Sequence, residues 1–374
     1  MHVVQIINRI QSSAGSSYAV TRLAHWLSAR GHDSEVLSVA PAPAQWQGGA
    51  RLRLDDSRFA RTTGLGFGLL RECRRLADQA VVLHNHGVWR LTNLFPLGVG
   101  RSARARIVCS PEGTFAPWCM QYKSWRKLPF WSLLQRPALA QAHSFHAASE
   151  MEAADIRRLG FRQPIAVVPN GVEIPPVPRA QRRNELLFLG RLAPEKGIDL
   201  LLLAWQQLAP TFPQWTLRIA GPLDGAYPKF LQRRARELAL ARCEFPGEVS
   251  GASKAAAFAS ARLFVLPSHT ENFGIAVAEA LAHAVPVVTT TGTPWAELAG
   301  HGCGWQVPAQ VHALTEVLRK ALALPSAELE AMGAMGRIWV ERDFGWDAVG
   351  ERMAATYEWL LSSPGAPPPH WVEV

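Results

Sequence analysis

Two glutamates, Glu271 and Glu279, stand eight residues apart in the segment LFVLPSHTENFGIAVAEALAHAVPVVTTTGTPWAEL. The first lies in a polar loop after an apolar run that ends at Pro267, and the second lies a turn or more inside the helix that starts near Phe273–Gly274. The free N–H groups and positive dipole end of such a helix suit a phosphate. Carboxylates on either side of it can accept hydrogen bonds from hydroxyls, such as those of a sugar and a ribose. Upstream, Arg191 and Lys196 in GRLAPEKG bring a planar guanidinium fork and a mobile ammonium, a combination suited to a diphosphate. Taken singly, these residues read as helix caps and solvated charges; their order along the chain gives them weight.

The elements that must position them alternate from end to end. Short apolar runs read as strands at 2–7, 35–39, 80–85, 105–109, 144–147 and 165–168, most of them separated by helical patterns. Ser149 with Glu152 three residues later forms a capping-box signature, and Gly160 closes that helix. The alternation breaks at VVPNGVEIPPVPRAQRRNE, where prolines remove donors. It restarts with strands at 186–189, 216–220, 243–245, 263–266 and 285–289, with a helix of about 229–241 among those between them. This pattern predicts an α/β chain with two doubly wound, Rossmann-like domains, their ligands bound beyond the carboxyl ends of the strands in a central cleft. The expected boundaries are 1–170, a linker at 171–184, a second domain at 185–343, a C-terminal helix at 344–362 packing back on the first domain, and a mobile proline-rich tail at 363–374.

Composition excludes several classes. With 374 residues, 48% apolar and 18% charged, the chain can build cores and is too apolar for disorder. No run approaches the roughly 18 apolar residues of a spanning helix, and MHVVQIINRI reads as a first strand rather than a secretion signal. A cytosolic location is therefore expected. The five cysteines are scattered and read as isolated thiols, not as a disulfide framework or zinc site. Charge is uneven: residues 1–170 carry +11 and residues 171–374 carry −2, so the first half asks for an anionic neighbour.

The segment ENFGIAVAE resembles the E-x7-E signature of the retaining glycosyltransferases of family 4, which have the GT-B fold. ELLFLGRLAPEKGIDLLLLAW, LHNHGVW, SPEGTFAPW, VVPNGV and FGWDAVGERMAATYEWL are similar to stretches of its bacterial surface-polysaccharide members, in the same order. The resemblance implies a nucleoside-diphosphate sugar as donor and a saccharide or lipid-linked saccharide as acceptor. It implies that Glu271 bonds the donor's hydroxyls, that the backbone of Asn272, Phe273, Gly274 and Ile275 holds sugar and distal phosphate, and that Glu279 accepts from the ribose. By the same resemblance Arg191 and Lys196 neutralise the diphosphate, the base lies near Gly221–Pro222 and Val249, and Gly15 with Ser16 offers backbone donors after the first strand.

The chain has no D-x-D pair, the usual metal-holding arrangement, so metal-independent transfer without a cofactor is expected. One departure stands out. SPEGT places Glu112 where many members carry a histidine; Glu112 is open to three roles, as proton acceptor, as stabiliser of a positive sugar ring, or as a structural carboxylate. His86 is a second candidate, and His84 reads as packing. Finally, residues 115–137 interleave Trp118, Tyr122, Trp125, Phe130 and Trp131 with Lys123, Arg126, Lys127 and Arg136. That mixture suits peripheral contact with an anionic membrane and equally a helix whose aromatics face the core; no nucleic-acid partner is expected. An epimerase or hydrolase on the same fold and a non-catalytic sugar-nucleotide binder are the rival functions.

Overall fold

The computed structural model describes residues 1–10, 15–39, 46, 49–63, 65–99, 104–121, 124–176, 182–362 and 365–374, the side chains of Ser124 and Arg126 apart. The chain divides into two compact units, Met1–Gly171 with Trp346–Val374, and Val172–Gly345.

In the first unit, seven strands run in parallel: β1 His2–Ile7, β2 Asp33–Val39, β3 Arg51–Asp55, β4 Val81–His86, β5 Arg106–Ser110, β6 Ser144–Ala147 and β7 Ile165–Val167. Their order, β7-β6-β5-β4-β1-β2-β3, reverses direction between β1 and β4, which is the doubly wound arrangement. The inner strands β1 and β4 are buried nearly throughout, as strands covered by helices on both faces are. β3 escapes a sequence reading because RLRLD alternates charge with Leu, as an edge strand facing water on one side does.

The helix Trp346–Leu361 belongs to this unit and lies along the helix Gly15–Ala29. Asp347 accepts from Trp26 Nε1 (3.0 Å) and Arg30 (2.7 Å), while Val349, Met353 and Tyr357 join Val3, Val82 and Val108 in one buried cluster. The tail departs from expectation. Instead of being mobile, Val372–Glu373 pairs antiparallel with Ile165–Ala166, and Trp371 Nε1 donates to Thr356 Oγ1 at 3.0 Å. The prolines end at Pro369, so HWVEV keeps every backbone donor and a large apolar ring to bury.

The second unit holds β8 Glu185–Leu189, β9 Thr216–Ala220, β10 Cys243–Gly247, β11 Leu263–Leu266, β12 Val287–Thr290 and β13 Gly304–Val307, all parallel, in the order β10-β9-β8-β11-β12-β13. β13 has only four residues and carries no alternation, which hid it in the sequence. The helix expected at about 229–241 runs from Ala226 to Glu237. The closing helical stretch breaks twice, at Leu324–Pro325 as well as at Gly345. Of the expected linker, 177–181 lie outside the described residues. Arg182, next to them, donates to the carbonyls of Ala261 (2.6 Å) and His283 (2.6 Å) and so is anchored in the second unit.

Candidate active site

The E-x7-E segment of the second unit spans the end of β11, a loop, and the helix Ile275–Ala282. That helix is capped by Gly274 in the left-handed region (φ 76°), where a side chain would also press on the Trp295 indole. Behind the loop, Phe273, Trp295, Trp339 and Phe344 form an aromatic cluster with centroids 5.1–5.8 Å apart. Trp295 Nε1 donates to the Phe273 carbonyl (2.5 Å), and the Glu271 amide donates to Gly292 O (2.8 Å), so the loop is tied down on both sides.

Glu271 Oε1 accepts from Lys196 Nζ at 2.5 Å and from Ser268 Oγ at 2.7 Å. The pair is mostly buried, with side-chain exposures of 15% and 10%. Lys196 reaches it because Gly197 takes a left-handed turn (φ 62°) against the Pro267 carbonyl, and Glu195 O accepts from His269 N at 2.8 Å. An ammonium has three N–H donors and spends one here, which leaves two for an anion. Glu271 Oε2 takes no hydrogen bond among the described residues.

Glu279 is not in that pair. Its Oε1 accepts from Lys254 Nζ at 2.5 Å, and its Oε2 is buried without a hydrogen-bond partner among the described residues. Burial raises its carboxyl above the ordinary range, and Lys254 opposes the shift. A buried acceptor left unpaired is costly unless a ligand hydroxyl supplies the donor. Arg191 is exposed and lies 3.2 Å from Glu195. The four residues expected to act together are thus divided among three ion pairs.

Asn272, Phe273, Gly274 and Ile275 carry the chain into the helix N-terminus. Gly221 follows β9 and donates to Gly247 O at 2.9 Å, and Val249 lies between β10 and the helix Gly251–Ser260, so both sit at carboxyl ends of strands. In the first unit, Gly15 and Ser16 open the first helix, while residues 11–14 of the same loop lie outside the described residues.

At the carboxyl ends of β4 and β5, His86 and Glu112 meet: Nδ1 lies 3.0 Å from Oε1, with side-chain exposures of 4% and 20%. Glu112 is held in the left-handed region (φ 58°), which is rare for a non-glycine residue. Glu152 fixes that turn by accepting from Gly113 N (2.6 Å) and Ala148 N (2.8 Å). Its carboxylate therefore bridges two segments, and Glu152 N donates to Ser149 Oγ at 3.2 Å, the N-cap bond expected of the helix that follows. His84 is buried as expected, yet it is bonded to Tyr357 and Ser110 rather than merely packed.

Lys254, Ser268, Gln5, Ser110, His146 and Tyr357 were not singled out from sequence. Ser268 had a signal, three residues before Glu271 in a loop; the rest acquire partners only across the sheets. A group that could hold a cation, His2, Asp33 and Glu35, lies at the opposite ends of β1 and β2. Arg51 already neutralises Asp33 and Glu35, each at 2.5 Å, and Arg53 lies 2.7 Å from Glu35.

Residues 115–137 divide. Trp131 is buried in the core with Phe115 and Phe161, and Lys127 lies 5.3 Å from the Trp89 ring. Trp118, Trp125, Leu128, Leu133 and Leu134 are exposed, and Tyr122 and Lys123 lie outside the described residues. No helix among the described residues is long and apolar enough to cross a membrane.

Residues 173–339 match the family model for glycosyl transferases group 1, and residues 14–171 match the glycosyl transferase 4-like domain. Glycogen synthase of Mycobacterium tuberculosis H37Rv is 34% identical over 202 residues, 52% of this chain and 48% of that protein. The chain thus spans about half the length of that curated relative. Among solved structures, sucrose-phosphate synthase from Thermosynechococcus elongatus superposes with a TM-score of 0.76 at 20% identity, covering 96% of this chain and 98% of that one. Anabaena Alr3699/HepE in complex with UDP and glucose superposes with 0.75 at 18% identity, covering 96% and 99%.

Proposed function

Because the chain belongs to the group 1 glycosyltransferases, with a family-4-like first domain and the two Rossmann-like units of the GT-B fold, we propose that it moves a sugar from a nucleoside-diphosphate sugar to a hydroxyl of a saccharide or lipid-linked saccharide, with retention and without a metal. The observation that carries this reading is the Lys196–Glu271–Ser268 cluster beside the Gly274-capped helix. A carboxylate able to accept from a hydroxyl, next to an ammonium able to donate to a phosphate, supports this reading. The UDP and glucose bound by Anabaena HepE support a donor of this class.

In this mechanism Glu271 Oε2 and Glu279 Oε2 accept from hydroxyls of the sugar and ribose. The helix N–H groups, the remaining Lys196 donors and Arg191 meet the diphosphate as it gains charge in leaving. Retention follows from attack on the face the phosphate leaves: the bond from the sugar carbon to phosphate oxygen breaks, the bond to the acceptor oxygen forms, and the departing phosphate oxygen takes the acceptor's proton. The exposed Trp118, Trp125, Leu128 and Leu133 beside a basic half suit an acceptor presented at an anionic membrane surface.

Labelled nucleoside-diphosphate sugars incubated with the chain and membrane extract test the reading. Labelled glycolipid or glycan, unaffected by chelator, supports it. Released sugar alone would indicate a hydrolase, an isomerised donor an epimerase, and binding without product a sugar-nucleotide binder.

A further inference from the structure

On one face of the first unit's sheet, the apolar side chains of the lower strands give way to a polar row at their carboxyl ends: Gln5, His84, His86, Ser110 and His146, with Tyr357 against it. The row has one acceptor-only terminus, the Val168 carbonyl, and this sets every proton. His146 Nε2 must donate to it (2.8 Å), so His146 Nδ1 accepts from Ser110 Oγ (2.8 Å). Ser110 Oγ then accepts from His84 Nε2 (2.7 Å), and His84 Nδ1 accepts from Tyr357 Oη (2.6 Å). Tyr357 Oη, its proton spent, accepts from Gln5 Nε2 (3.3 Å), which turns Gln5 Oε1 toward His86 Nε2 (2.7 Å). His86 therefore donates from Nε2.

The link to Glu112 can then hold only one proton. A neutral His86 would face the carboxylate with a bare Nδ1 lone pair at 3.0 Å, which is repulsive. Imidazole is the stronger base of the two groups, and Glu112 is the end nearer to water. We propose that His86 is held as an imidazolium paired with the Glu112 carboxylate, and that this pair presents Glu112 Oε2 to a sugar hydroxyl, so the carboxylate serves as a binding group in the left-handed turn. Among the described residues only Oε1 of Glu112 is engaged. The titratable groups around the pair are His84 on β4, His146 on β6, Tyr357 on the C-terminal helix and Glu152 behind the turn. The two other histidines of the row are held neutral by burial: His84 is lowered well below the usual imidazole range and His146 to about 4. The hydroxyl role rests on the transferase reading above; the protonation state does not.

Nitrogen-15 spectra of histidine side chains in the full ligand-free chain, with His86 identified by its loss in H86Q, test the pair. The expected result near neutral pH is a His86 ring protonated at both nitrogens, which becomes a neutral Nε2–H tautomer in Glu112→Gln. A neutral His86 in the unaltered chain, or a bare Nε2, overturns the proposal. In transfer assays E112Q should lower kcat/KM about tenfold while donor-induced thermal stabilisation is unchanged; undiminished transfer overturns the hydroxyl role. A wild-type chain that transfers nothing means the functional reading has failed, while the nitrogen spectra still decide the pair.

Discussion

The two units share a doubly wound topology yet manage buried polarity in opposite ways. In the second unit, charge meets charge: Lys196 lies on Glu271 and Lys254 on Glu279. In the first unit, a row of mostly neutral donors and acceptors, closed by a backbone carbonyl, delivers one charged pair to the surface. Each ion pair needs two residues, one of them in a compact motif. The row needs four strands, a carbonyl just past a fifth, and a helix from the far end of the chain, so any one of its members is silent alone.

The largest effect expected is on catalysis. Glu271→Gln keeps an oxygen for Lys196 and removes the second charged acceptor, so kcat/KM should fall about 100- to 1000-fold with an unchanged circular dichroism spectrum. Wild-type turnover would put the chemistry elsewhere than the second unit's motif.

Next comes pH, where the units should move apart. His84 and His146 have lowered folded values, so they contribute stability above the usual imidazole pKa of 6.5, and it is lost as pH falls from there toward about 4. His146 alone is worth about 3 kcal/mol over that range. Glu279 has a raised folded value, so its folded form binds protons more tightly; its contribution is present below the unfolded value of 4.5 and lost as pH rises through the folded one. Residue-resolved hydrogen exchange between pH 7 and 5 should show the first unit loosening on acidification while the surroundings of Glu279 tighten. Parallel behaviour of both regions would break the comparison.

Tyr357→Phe sharpens it. The ring stays buried, and His84 Nδ1 and Gln5 Nε2 lose their shared oxygen, for a cost of about 2 kcal/mol in denaturant unfolding. The smallest effect belongs to Trp125→Ala with Leu133→Ala: at these exposed positions stability should change by about 0.5 kcal/mol or less, while flotation with anionic vesicles should drop. Unchanged flotation would remove the membrane contact.

Much of this molecule was legible because alternation and motif are local. β1, β6, β9 and β11 match their runs, and Gly274 is placed by the only residue type that takes its φ without strain. The order of residues was also enough to point to Glu271 and Lys196, which meet at 2.5 Å. Other features were hidden because they depend on neighbours distant in sequence. Lys254 reads as a single cation in an alanine-rich helix until β11 and its following helix bring Glu279 to it. Tyr357 reads as one apolar position of an amphipathic helix until that helix crosses the ends of β1 and β4. The tail's strand is hidden because prolines report what they themselves cannot do and nothing about the tryptophan beyond them.

By itself, then, the sequence determined the two α/β units, the family and the charged residue types of its E-x7-E and GRLAPEKG segments, since periodicity and spacing act over a few residues. Only the tertiary structure decided which cation answers which carboxylate and how protons are arranged along the row from His146 to His86. Hydrogen-bond direction is a property of a closed network, and it is set once the last acceptor, here the Val168 carbonyl, is in place.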